Sequence, residues 1–127
     1  MNSKDELIDL IKQQTQEDFL VIAEGKQDEK ALKELGFQNI ITLSKKPLFK
    51  VVEQVVAKNK ETLILTDLDK EGKLLYGKLN HQLQQFGVKV NNKLRNYLFR
   101  HTKLRQIEGL HNYLSRDKHF EKQTSDL

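Results

Sequence analysis

Three times in this chain a run of strand length, the first of them continuously apolar, gives way to a helical pattern, and that alternation leaves few folds open. The runs are Phe19-Leu20-Val21-Ile22-Ala23, Asn39-Ile40-Ile41-Thr42-Leu43 and the stretch from Glu61 to Thr66. A strand apolar at successive positions must be covered on both faces, as in a parallel sheet. The segments between the runs are helical. Ala31, Leu32 and Leu35 mark one face of the first, which Gly36 stops. Leu48, Val51, Val52, Val55 and Val56 give the second, with Pro47 in its first turn. Leu75, Leu79, Leu83 and Phe86 line the third, from about Lys73 to Gly87. Strand and helix in alternation with short connections predict an α/β fold, a central, mainly parallel sheet with helices on both faces.

The flanks are read more coarsely. Residues 3–16 form an N-terminal helix, with Ser3 as cap, Glu6 completing a capping box and Leu7, Ile8 and Ile11 on one face. After the third helix, residues 91–101 read as a further helix, and Lys103 to Ile107 as a fourth strand ending at Glu108-Gly109. A short helix from Leu110 to Leu114 follows, and residues 117–127 read as a polar tail. One domain over residues 1–127 is expected, with a basic extension at 91–116.

Composition removes several classes. The absence of cysteine excludes disulfides and thiolate metal sites. The N-terminal stretch has no apolar signal segment and no run reaches membrane length, so a cytoplasmic location without membrane contact is expected. A net charge of +4 favours an anionic partner without identifying one.

The chemistry concentrates where the strands end. Thr66-Asp67-Leu68-Asp69-Lys70-Glu71-Gly72 lies between the third run and its helix, at the sheet edge where α/β proteins bind ligands. In extended chain, residues i and i+2 point to one side with Cα atoms about 7 Å apart, so Asp67 and Asp69 can present oxygens to one small region. Like charges that close remain ionised together most easily around a cation, and oxygen ligands suit a hard ion such as Mg²⁺. The other reading is a solvated turn in which Asp69 caps the helix. Glu24 ends the first run as Asp67 ends the third. If those strands are neighbours the carboxylates meet, with Asp28 one helical turn on as a supporting outer group. Gly25 allows a sharp bend, and Gly72 a close helix approach.

Val21-Ile22-Ala23-Glu24-Gly25-Lys26-Gln27-Asp28 and Leu65-Thr66-Asp67-Leu68-Asp69-Lys70-Glu71-Gly72 together resemble the two signatures of the Toprim domain. That module is shared by bacterial-type primases, type IA and type II topoisomerases, overcoming-lysogenization-defect nucleases and a small ribosomal-RNA-maturing ribonuclease. The resemblance covers residues 18–90, and the chain's size and layout are similar to those of the small stand-alone Toprim proteins. It implies a Rossmann-like fold with about four strands. It also implies Mg²⁺, one or two ions replaceable by Mn²⁺, held by Glu24, Asp67 and Asp69. Glu24 would serve as general acid/base. Lys26, beside it at the start of a helix, is a candidate catalytic residue that contacts a phosphate there or forms a salt bridge to the acidic cluster. The expected activity is phosphodiester hydrolysis on RNA or DNA; the alternative is a non-catalytic nucleic-acid or ribonucleoprotein binding module that keeps the metal site.

Basic residues supply a candidate nucleic-acid surface. Lys45 and Lys46 leave the same sheet edge as the acidic groups. The segment from Val88 to Arg105 carries Lys93, Arg95, Arg100, Lys103 and Arg105 and no acidic residue, with Tyr97, Phe99 and His101 interleaved. A helix with core aromatics and solvated basic groups is the competing reading. A protein partner or a homodimer completes the expected partners.

Overall fold

The computed structural model describes residues 3–115. The polar tail, the last residue of the basic extension and the capping side chain of Ser3 lie outside the described residues. Helix α1 (Ser3–Gln16) precedes β1 (Leu20–Ala23), α2 (Lys26–Glu34), β2 (Asn39–Thr42), α3 (Leu48–Lys58), β3 (Thr62–Ile64) and α4 (Lys70–Gln85). Then come α5 (Lys93–His101), a 3₁₀ turn (Ile107–Gly109) and α6 (Leu110–Ser115). No helix of the described residues is long and apolar enough to cross a membrane.

The sheet is parallel, in the order β2-β1-β3. Strand β1 is central and buried at all four positions, which explains its unbroken apolar run. The pleat divides the core in two. Val21, Ala23, Leu63 and Leu65 point toward Leu7, Leu32, Leu94, Leu98 and Leu110, and so toward α1, α2, α5 and α6. Leu20, Ile22 and Ile64 point the other way, onto Val51, Val52 and Val55 of α3 and Leu79 and Leu83 of α4. Burying Leu, Ile and Val side chains at about 1.5–3 kcal/mol each makes these two layers the main source of stability.

The sheet has three strands among the described residues, where about four were expected. Residues 103–106 run as irregular chain into the 3₁₀ turn instead of pairing with β3. Leu104 and Ile107, three residues apart, would face opposite sides of a strand; in the fold both pack into the layer beside α2 and α6. Beyond β3 the sheet gains only a single parallel bridge, Thr62 to Val90, closed by Thr62 N–H donating to the Lys89 carbonyl and Asn91 N–H to the Thr62 carbonyl, both at 2.9 Å. Two helix ends also shift. Pro47 is the extended N-cap of α3 rather than a first-turn residue. Phe86 stands past the last turn of α4, off the Leu79–Leu83 face, and is exposed.

Candidate metal centre

Because β1 and β3 pair side by side, Glu24 and Asp67 leave the sheet at the same edge. Asp28 reaches them from the first turn of α2. One carboxylate oxygen from each of Glu24, Asp28 and Asp67 lies within 4.8 Å of the other two. Backbone amides hold two members of this trio. Gly25 N–H donates to Asp28 Oδ2 at 3.1 Å, and Ile107 N–H donates to Asp67 Oδ1 at 2.8 Å. Glu24 is held differently: its Oε1 is buried with no hydrogen-bond partner. A carboxylate oxygen taken out of water and left unbonded is costly unless something else meets it.

The electrostatics follow from that crowding. Burial, then a proton shared with Asp67, then the charges of Asp67, Asp28 and Asp69 push the Glu24 carboxyl up to about 7. Asp28 is raised by burial first and by the Asp67 charge next, while the Gly25 amide opposes the rise.

The turn after β3 is fixed from several sides. Arg95 is buried, and its guanidinium donates to the carbonyls of Ile64 (3.3 Å), Thr66 (2.6 Å) and Asp67 (3.0 Å). Thr66 Oγ1 donates to the Gly72 carbonyl at 2.7 Å, and Leu68 N–H to the Arg105 carbonyl at 2.7 Å. A Cβ on Gly72 would sit 1.9 Å from the Asp67 carbonyl oxygen, so the close approach expected of this glycine is required. Gly25 is under no such pressure, since its nearest neighbour would be Ser44 Oγ at 3.5 Å.

These contacts redistribute the expected roles. Asp69 stands outside the trio, its Oδ1 accepting the Gly72 amide at 2.8 Å as the N-cap of α4. The capping reading of Asp69 is therefore realised, and Asp28, expected as an outer support, takes its place among the converging oxygens. Arg95, expected on the nucleic-acid surface, is a buried staple instead. Burial lowers its pKa and the neighbouring Glu24 and Asp67 charges oppose that, leaving a fixed cation against the acidic group. Helical spacing could have flagged it, because Arg95 falls between Leu94 and Leu98 on the inward side of α5.

Lys26 is exposed and shares a shallow groove with Glu29, Lys30 and Lys33 on α2; among the described residues no ion pair ties it to the trio. Lys45 and Lys46 are exposed in the loop after β2. Lys93 lies beside Glu6 and Asp9 of α1. Lys103 and Arg105 line a cleft of about 790 Å³, together with Gln27, Asp69 and Glu108. The cleft wall carries both basic and acidic side chains but none of the three converging carboxylates, and Glu108 on that wall lies close enough to act on Asp28.

The Toprim domain matches residues 19–101. The chain belongs to the Toprim family. Its relatives include a UPF0292 protein of Methanocaldococcus jannaschii, 34% identical over 76% of this chain and 78% of that one. Another, from Pyrococcus abyssi, is 40% identical over 75% of this chain and 74% of its own length. A solved structure of a putative protein from Aquifex aeolicus is similar with a TM-score of 0.71 and 31% identity, covering 82% of this chain and 94% of that one. Toprim domains belong to metal-binding proteins that process nucleic acids. The residues of this Toprim protein fit such an ion: the donors are all carboxylate oxygens, and one is buried without a partner.

Proposed function

We propose that this Toprim protein hydrolyses phosphodiester bonds of nucleic acid with a divalent cation, Mg²⁺ or Mn²⁺, held by Glu24, Asp28 and Asp67. The observation carrying the reading is the buried, unpartnered Oε1 of Glu24 beside two other carboxylates. When bound, the cation supplies charge neutralisation for the phosphoryl oxygens.

The chain's own groups supply the rest. In the cation-free fold the Glu24 carboxyl is raised to about 7, so it takes up or releases a proton near neutral pH; as a ligand to the cation it is ionised and can serve as the general base. Asp67 is kept in place by the Ile107 amide through its side chain and by Arg95 through its carbonyl. Asp69 shapes the turn as a cap and stands on the cleft wall. Lys103 and Arg105 attract the phosphate backbone along the cleft, a salt-sensitive effect. Hydrolysis is favoured over strand synthesis because the sequence shows no glycine loop for a nucleotide.

Purified protein incubated with labelled RNA and DNA, with and without Mg²⁺ or Mn²⁺, tests the reading. Cleavage that needs the cation and disappears in Glu24→Gln supports it. Salt-sensitive binding with no cleavage under any of these conditions would replace it with a non-catalytic binding module.

A further inference from the structure

Between α4 and α5, behind the acidic turn, a second cavity of about 270 Å³ opens. Leu68, Tyr76 and Phe99 give it apolar walls, with Lys73, Arg95 and Arg100 around them, and no acidic side chain among the described residues lines it. Phe99 is 42% exposed, which leaves part of its ring open at the cavity. Two cations lie over that ring, Lys73 Nζ at 4.3 Å from its centre and the Arg105 guanidinium at 5.4 Å. The buried Arg95 stacks on Tyr76 at 4.5 Å. Arg105 lines the large cleft and lies over the Phe99 ring, so its guanidinium stands between the two cavities.

Each property narrows the occupant. The volume falls below the roughly 300–1,000 Å³ of pockets that enclose drug-sized ligands, which suits a single flat ring system. The wall carries two aromatic rings and every charged side chain lining the cavity is a cation, with Asn96 as a neutral polar group, so a planar ligand with negative charge outside its plane fits it. An acidic peptide would meet the cations and leave the rings unused. A nucleotide unit meets both.

We infer that this cavity docks one unpaired base of a nucleic-acid strand whose phosphates run past Arg100 and Arg105 toward the acidic trio. The inference rests on the nucleic-acid substrate proposed above and adds its form. The base stacks on Phe99 in place of the Lys73 ammonium, an exchange favoured because base–aromatic stacking outweighs an exposed cation–π contact. The displaced ammonium then meets phosphate. A base paired within a duplex cannot enter, so the pocket selects single-stranded segments, bulges or ends.

The chain contains no tryptophan, which makes Phe99→Trp a single fluorescent reporter placed in the pocket. Binding is measured in EDTA, so that no cleavage intervenes, against a labelled single-stranded oligonucleotide and the same sequence as a duplex. The single strand is expected to change the emission of Phe99→Trp while the duplex does not. Phe99→Ala is expected to weaken single-strand binding about tenfold or more and to leave duplex binding unchanged. Unaltered single-strand affinity in Phe99→Ala, or emission unmoved at saturating single strand, overturns the inference. The two proposals fail separately. Cleavage indifferent to Phe99 removes the base pocket alone, and a base-dependent emission change without cation-dependent cleavage removes hydrolysis alone. Absence of any nucleic-acid binding removes both.

Discussion

The two turns that carry the acidic trio are built on opposite principles. The turn after β3 is over-determined: Arg95 grips three carbonyls, Thr66 and Leu68 close it at either end, and Gly72 lies against the Asp67 backbone. The turn after β1 is lightly held, by the Asp28 cap on Gly25 and a Ser44 Oγ bond to the Glu24 carbonyl at 3.3 Å. The fixed turn supplies Asp67, whose position is set by backbone contacts. The lighter one supplies Glu24, whose carboxyl is the most perturbed of the trio and the one that can move a proton. Rigidity and titration are thus divided between two strand ends and meet only because β1 and β3 are neighbours.

The largest effects should separate chemistry from scaffold. Asp67→Ala is expected to abolish Mg²⁺ binding in calorimetric titration, and Glu24→Gln to lower cation-dependent cleavage by about 10²–10⁴, the range for loss of a general acid/base. Equal Mg²⁺ affinity in Asp67→Ala would break the contrast at its stronger end.

Next come the changes to the fixed turn. Arg95→Ala leaves three carbonyls without their charged donor and is expected to cost about 2–4 kcal/mol in chemical denaturation, given ~1.5–3 kcal/mol per hydrogen bond to a charged group and incomplete additivity. Lysine will not rescue it, since an ammonium cannot reproduce the planar fork. Gly72→Ala drives a methyl into the Asp67 carbonyl and is expected to destabilise by about 1–3 kcal/mol or more. Gly77→Ala, on the same helix with nothing within 4 Å of the new Cβ, should stabilise by about 0.5–1 kcal/mol. If the two glycine variants melt alike, close packing is not what Gly72 provides. Asp69→Ala should cost about 1 kcal/mol as a lost cap and weaken Mg²⁺ binding far less than Asp67→Ala.

The same contrast carries a pH dependence. In the metal-free fold Glu24 keeps its proton to about pH 7, above its ordinary value of 4.5. Its contribution to stability is therefore full below about pH 4.5 and is lost as the pH rises through 7. Cation binding needs the ionised carboxylate, so affinity runs the other way and weakens as the pH falls below 7. Melting in EDTA across that window should slope downward with pH, and the slope should flatten in Glu24→Gln.

How much of this could be read from residues alone depended on whether the signal was local. The apolar runs marked the strands, most clearly β1, which is buried at all four positions, while the edge strand β2 leaves Asn39 exposed; the meeting of Glu24 with Asp67 needed only that β1 and β3 be adjacent. Which aspartate does what was not legible. Asp67 and Asp69 are equivalent by spacing, and only the Gly72 amide, one turn into α4, makes Asp69 a cap. Asp28 occupies a capping position too, yet its carboxylate also faces the trio. Arg95 was counted among the basic surface by charge, while its register on α5 places it inside. The region from Lys103 to Ile107 has strand length without period-two alternation, and its apolar groups follow α2 and α6 rather than a sheet neighbour.

The central claim is that oxygens from two strand ends and the first turn of α2 share one divalent cation. A crystal grown with Mn²⁺ and read by anomalous scattering tests it most directly. The account predicts a peak about 2.0–2.3 Å from carboxylate oxygens of both Glu24 and Asp67, with Asp28 bound directly or through one water. A peak held by Asp69 and Glu108 without Glu24, or no peak at saturating Mn²⁺, would contradict it.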